Sequence, residues 1–136
     1  MRPPEQVKLE LVRQWLARAD NDLETAKFLF ASGRPFFSAI CFHSQQAAEK
    51  YFKALLTWHQ IEFPKTHDLE LLLALIASTD SALASSLTGV AVLNPYGVEI
   101  RYPGDFPDTT DADAEEAMQL ADKVQEAIFL ALKDKA

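Results

Sequence analysis

Hydrophobic residues recur at steps of three and four along the first thirty residues, which is the spacing of one face of an α-helix. Pro4 precedes most of this pattern and suits a helix start. Gly33 follows it and can adopt the left-handed conformation that ends many helices. We therefore predict a first helix over residues 5–31. Its predicted buried face is Val12, Leu16, Ala19, Leu23, Ala26 and Phe30.

A second helical pattern begins at Pro35 and runs to Trp58, before Pro64 interrupts the chain. Only residues 32–35 connect it to the first helix. Such a short connection requires the two long helices to pack antiparallel. Its apolar positions fall on one face and are Ile40, Ala47, Tyr51, Leu55 and Trp58.

The remaining helical segments are two short ones and a long last one. Thr66 is a predicted N-cap for a third helix through Ile76, and Thr79, Asp80 or Ser81 can cap a fourth. The fourth helix is predicted to contain Leu83, Leu87 and Val90. Thr110 and Asp113 resemble the cap of the last helix, whose predicted buried positions are Ala117, Ala121, Val124, Ile128 and Leu132.

These segments together predict an all-α fold, an up-and-down bundle of four to five helices. It would contain two long antiparallel N-terminal helices, two shorter helices and a long C-terminal helix. We expect residues 1–136 to form one domain, because this length suits a single hydrophobic core. Between Asn94 and Asp111 the chain contains three prolines, two glycines and three aromatic residues. We predict a long ordered loop there, of the kind that often carries function.

The net charge of −7 limits the partners of this chain. Nucleic-acid affinity comes largely from lysine and arginine, so binding would need a local basic patch. Residues 108–126 contain seven acidic side chains and one basic one, which predicts a solvated or partner-facing acidic surface. The apolar runs are too short to span a membrane, and the first residues lack a signal-peptide pattern. Cys41 is the single cysteine, which fits a reducing cytoplasm and favours neither a disulfide nor a metal site.

A polar stripe runs along the second helix, at three- and four-residue steps. Its members are His43, Gln46, Lys50, Lys53 and Thr57, with Gln45 and Glu49 beside them. Charged stripes usually face solvent, and the Glu49–Lys53 pair would then contribute little to stability. The stripe can alternatively form a dimer contact or a phosphate-binding surface. We favour the solvated face on composition alone.

His67 and Arg101 are the candidate residues outside the helices. His67 can complete a helix cap or act as a general base, and the lack of a visible partner favours the structural role. Arg101 can hold a phosphate through two hydrogen bonds, or anchor its loop by pairing with Glu99 or Asp105. No phosphate-binding glycine motif, zinc-binding motif or hydrolase nucleophile motif occurs in the chain.

Several short motifs together resemble the HEPN family (higher eukaryotes and prokaryotes nucleotide-binding domain), in its small free-standing prokaryotic form. They are Trp15 with Asp22-Leu23, Gln45-Gln46-Ala47-Ala48-Glu49-Lys50, Thr66-His67-Asp68-Leu69 and Arg101-Tyr102-Pro103, followed by an alanine-rich last helix. The resemblance covers residues 14–133 and implies a helical bundle that usually forms a homodimer. It also implies a minimal nucleotidyltransferase as partner, in a toxin–antitoxin pair. Many members are metal-independent ribonucleases, with an arginine followed after four to six residues by a histidine.

This chain departs from that signature, because its histidines are at positions 43, 59 and 67 and none follows Arg101. Our hypothesis is a non-catalytic, dimeric HEPN domain that acts with a nucleotidyltransferase. The alternative is an RNA-cleaving toxin with a rearranged site formed by Arg101 and His67. We expect no cofactor or metal. The candidate nucleotide- or phosphate-binding residues are Lys50, Lys53 and Arg101, and the polar residues of the family motifs are Gln45, Gln46, Glu49, His67, Asp68 and Tyr102.

Overall fold

The computed structural model describes residues 3–97, 104, 108–133 and 135, and the described part of the chain contains helices and no strand. In chain order its elements are α1 (Pro4–Ala31), α2 (Phe37–Trp58), α3 (Leu69–Ala77), α4 (Ser81–Ser86), a 3-10 helix (Thr88–Gly97) and α5 (Asp111–Ala131). This confirms the predicted all-α bundle, with two long N-terminal helices, shorter central ones and a long last helix. None of the described helices is long and apolar enough to cross a membrane.

The pair of helices α1 and α2 forms the centre of the bundle. Pro4 occupies the first turn of α1, where its missing N–H has no helical acceptor to lose. Gly33, with φ of 74°, reverses the chain after α1, so α2 returns antiparallel to it. Leu23 on α1 and Leu55 on α2 are almost fully buried, as the apolar pattern predicts.

Helix α3 begins later than the sequence pattern indicates, and its cap is Asp68 rather than Thr66. The Asp68 carboxylate accepts hydrogen bonds from the backbone N–H groups of Glu70 and Leu71, at 3.0 and 3.4 Å. Thr66 instead accepts a hydrogen bond from the backbone N–H of Asp68 through Oγ1, at 3.1 Å. The Thr66 prediction is therefore wrong. The physical reason is that Thr66 forms a turn which places the equally good cap Asp68 at the helix start.

The fourth helix is capped by Asp80, one of the three predicted residues, but it ends at Ser86. Leu87 and Val90 therefore lie beyond it, and the predicted fourth helix was too long. A 3-10 helix follows and includes Asn94–Gly97, which the sequence assigned to a loop. Val90 and Leu93 are buried there at a spacing of three, which matches the three residues per turn of this helix type.

Helix α5 lies against both α2 and α1 and completes the bundle. Thr110 and Asp113 form the predicted capping box, in which each side chain accepts a hydrogen bond from the other residue's backbone N–H. Ser38 at the start of α2 donates a hydrogen bond to Thr109, which precedes α5. The two helices therefore begin at the same end of the bundle and run parallel.

Candidate functional site

The polar side chains at the centre of α2 are largely buried. Gln45 is fully buried, and the side chains of Glu49 and Lys53 are only 4% and 8% exposed. The prediction of a solvated stripe is therefore wrong for this part of the helix. The alternative of a dimer contact is not needed to satisfy these groups either. No buried side-chain polar atom of the described residues lacks a hydrogen-bond partner within the protomer.

Glu49 is the centre of the first polar cluster. One carboxylate oxygen lies 2.8 Å from Nδ1 of His67, and the other lies 2.9 Å from the Lys53 ammonium. The pairing with His67 joins α2 to the segment that leads into α3. His67 therefore has a carboxylate partner, and the expectation that it had none was wrong.

The Gln45 side chain binds the backbone of the same segment. Its Nε2 donates to the carbonyl oxygen of His67 at 2.9 Å, while its Oε1 accepts from Nε2 of Gln46 at 2.7 Å. A Cβ atom at Gly97 would lie only 3.1 Å from Nε2 of Gln45. An alanine at this position would require the Gln45 amide to shift by a few tenths of an ångström, so the close packing at the end of the 3-10 helix favours glycine.

Two aromatic rings lie close to the Lys53 ammonium. Its nitrogen lies 5.5 Å from the centre of the Trp15 ring and 5.8 Å from that of Phe63. These distances are within cation–π range. Lys53 thus has its charge balanced by Glu49 and its remaining surface packed against α1 and the α2–α3 connection.

A second polar cluster joins α2 to α1 through Asp22. Its Oδ1 lies 2.9 Å from Nδ1 of His43, and its Oδ2 accepts a hydrogen bond from the Lys50 ammonium. The Asp22 side chain is 10% exposed. The sequence assigned no role to Asp22 beyond the family motif. The spacing did, however, indicate that Asp22 is buried, because Asp22 lies three residues after Ala19 and four before Ala26, on the buried face of α1.

A third polar group lies between α1, α2 and α5. The Tyr51 hydroxyl donates a hydrogen bond to Asp20 and accepts one from Nε2 of Gln125, at 2.9 Å. Burial, the hydrogen bond to Asp20 and the negative charge of Asp20 all raise the pKa of Tyr51. The phenol is therefore protonated at any physiological pH, and its role here is to join three helices. His59 lies just after the C-terminal end of α2. Its pKa is lowered mainly by burial and also by the positive charges of Lys135 and Lys8.

The structure thus divides the predicted site residues between two neighbouring clusters. Gln45, Gln46, Glu49, Lys53 and His67 lie together, and Asp68 caps α3 beside them with its Oδ1 also accepting from Asn94 at 3.0 Å. Lys50 belongs to the Asp22 cluster. Arg101 and Tyr102 lie outside the described residues.

The two clusters have definite chemical capacities. A buried carboxylate that orients an exposed imidazole is an arrangement used in general acid–base catalysis. Phosphate binding by Lys50 and Lys53 stays a prediction, and a phosphate would compete there with Asp22 and Glu49. The described residues contain no group of three or more histidine, cysteine, aspartate or glutamate side chains placed to hold a metal ion.

Comparison with known proteins identifies the family. The family model of the HEPN domain matches residues 12–133. The crystal structure of an archaeal HEPN homologue superimposes with a TM-score of 0.71 at 28% sequence identity, covering 90% of this chain and 98% of the homologue. The search of curated proteins gave no match. The chain therefore belongs to the HEPN domain family, a family of nucleotide-binding and ribonuclease-type domains.

Proposed function

We propose that this chain is a non-catalytic HEPN domain, which forms a homodimer and acts in the cytoplasm with a partner protein. The proposed partner is a minimal nucleotidyltransferase, and the pair would be of the toxin–antitoxin type. We infer the lack of catalytic activity from one observation. The family's ribonuclease signature needs a histidine shortly after an arginine, and residues 102–108 after Arg101 contain none.

The internal pairing of the charged groups on α2 supports the same proposal. A ribonuclease site needs positive charge that is free to stabilise the phosphate in the transition state. Lys50 and Lys53 are instead paired with Asp22 and Glu49 inside the protomer. Binding of a nucleotide or phosphate by Lys50, Lys53 and Arg101 remains part of the proposal.

Dimerisation is proposed from the family and from the surface. HEPN domains commonly dimerise. Phe28 on α1 and Leu130 on α5 are 75% and 71% exposed, so large apolar side chains remain for a partner to cover. Light scattering after gel filtration tests this proposal. A mass of two chains is expected at micromolar concentration, and a single-chain mass at tens of micromolar would contradict it.

Co-purification from the native host tests the partner. The expected result is a nucleotidyltransferase that remains with the wild-type chain through two chromatographic steps and is identified by mass spectrometry. Phe28→Ser and Leu130→Ser variants, made separately, report whether the partner or the second copy uses the exposed apolar surface. Recovery of the chain alone under mild salt would argue against a stable partner.

A second candidate function rests on the Glu49–His67 pair. The 2.8 Å contact orients an imidazole whose side chain is 67% exposed, and an imidazole is the part of the ribonuclease signature that this chain lacks after Arg101. In this alternative, His67 acts as the base and Arg101 stabilises the phosphate in an RNA-cleaving toxin. Cleavage of RNA without metal, lost in both His67→Asn and Arg101→Ala, would favour it.

A further inference from the structure

The described residues contain the same three-group arrangement twice, each time with two of its members on α2. In each triplet a carboxylate binds a histidine through one oxygen and a lysine through the other. Asp22 is held by Nδ1 of His43 and by Lys50. In the second triplet, Glu49 is held by Nδ1 of His67 and by Lys53, as described above.

Exposure follows the same order in both triplets. The Asp22, Lys50 and His43 side chains are 10%, 23% and 30% exposed, and those of Glu49, Lys53 and His67 are 4%, 8% and 67% exposed. The carboxylate is thus innermost and the imidazole outermost. The histidine is therefore the member of each triplet most accessible to a molecule from solvent.

The hydrogen bonds also determine which ring nitrogen is available. An ionised carboxylate only accepts hydrogen bonds, so Nδ1 of each imidazole carries the proton. This leaves Nε2 of His43 and Nε2 of His67 for a ligand, since no hydrogen bond joins either atom to another described residue, although the His43 ring packs edge-on against Phe42. Donation through Nε2 to a ligand oxygen requires the cationic form of the imidazole, in which both ring nitrogens are donors.

The two imidazoles flank Gln46 on the surface of α2. His43, Gln46 and Lys50 lie on successive turns of one face, and α1 approaches that face through Asp22. His67 approaches from the other side, where it contacts Glu49. His43 and Glu49 are six residues apart, which corresponds to about 9 Å along the helix axis. A single phosphate is too small to span this axial separation, whereas two linked phosphates can span it.

We propose that His43 and His67 are the ligand-contacting residues of a diphosphate-binding surface centred on Gln46. In this arrangement Lys50 and Lys53 neutralise the two carboxylates, and the histidines donate to the ligand. The ligand class is a molecule with two neighbouring phosphate groups, which can be a nucleoside diphosphate or the backbone of an RNA strand. The inference rests on the nucleotide-binding part of the proposed function and assigns it to residues other than the lysines.

The test is an NMR titration of the three histidine side chains in the wild-type protein. The probes are pyrophosphate, ADP and a short single-stranded RNA, added separately at constant pH and ionic strength. His59, at the end of α2 and outside both triplets, is the internal control. We expect the imidazole signals of His43 and His67 to shift together with a dissociation constant at or below about 1 mM, while those of His59 stay in place. His43→Asn and His67→Asn should each weaken binding at least about fivefold, a loss of about 1 kcal/mol, and His59→Asn should not.

The three probes distinguish the two sources of the phosphate groups. Shifts with pyrophosphate and ADP support a nucleotide ligand, and shifts with RNA alone support an RNA backbone. Equal shifts of all three histidines, or no shift with any probe, would overturn the assignment. The dimer and the partner are tested by light scattering and co-purification, and neither experiment uses a nucleotide. A failed titration is therefore distinguishable from a failure of the dimer and partner proposals.

Discussion

Replacing Lys53 by methionine tests the burial of the Glu49 cluster. Methionine keeps most of the side-chain volume and removes the ammonium that binds Glu49 at 2.9 Å. Both side chains are less than a tenth exposed, so the carboxylate would lose its buried counter-charge. Breaking one partner of a buried ion pair typically costs about 3–5 kcal/mol. Because His67 still contacts Glu49, we expect a value near the lower end, about 3 kcal/mol.

The control is Lys27→Met, which breaks an ion pair with Asp122 whose side chains are 50% and 45% exposed. An exposed pair of this kind should contribute about 0.5 kcal/mol or less. Urea denaturation at one fixed protein concentration measures both variants, because the stability of a dimer depends on concentration. A loss in Lys53→Met no larger than that in Lys27→Met would refute the conclusion that the cluster is buried. The double variant Glu49→Met and Lys53→Met should have a higher free energy of unfolding than Lys53→Met alone, because it leaves no unpaired carboxylate in the cluster.

Three further changes test other parts of the fold. Leu55→Ala should lower the free energy of unfolding by about 2–5 kcal/mol, whereas Leu11→Ala, at a 45% exposed position, should change it by about 0.5 kcal/mol. Gly97→Ala should cost about 1–3 kcal/mol in denaturation because its Cβ would contact a buried amide, while Gly89→Ala faces open space and serves as its control. Tyr51→Phe should cost about 1–3 kcal/mol at pH 7. Because the folded pKa of Tyr51 is raised, this contribution is complete below about pH 10 and is lost as the pH rises further. The difference in the free energy of unfolding between wild type and Tyr51→Phe should therefore decrease as the pH rises above about 10. A difference that stays constant in alkaline solution would count against the raised pKa.

The long helices were predictable because their apolar spacing is sustained over about four or more turns. Helix α1 was expected over 5–31 and is found over Pro4–Ala31. The central region was less predictable, because Thr66 and Asp68 are both good cap residues and only the fold selects between them. The 3-10 helix was missed because Pro95 and Gly97 are also typical of loops.

The burial of the polar cluster could not be read from the sequence of α2. Glu49 and Lys53 have the i, i+4 spacing of an ordinary surface pair. Their burial depends on partners far along the chain, namely Trp15 on α1 and Phe63 and His67 after α2. A periodicity argument treats one helix at a time, so it does not contain these contacts. It does identify polar residues on a helix with an otherwise apolar composition, and those residues lie in the two polar clusters.

Incubation of the purified protein with single-stranded RNA, without metal, tests the central claim most directly. Cleavage through the ribose 2′-hydroxyl needs a base beside a positively charged group, and Arg101 lacks the histidine that the family's ribonucleases place after it. We expect the RNA to remain intact at micromolar protein. Cleavage by the wild-type protein that disappears in both Arg101→Ala and His67→Asn would contradict the account and establish the toxin alternative.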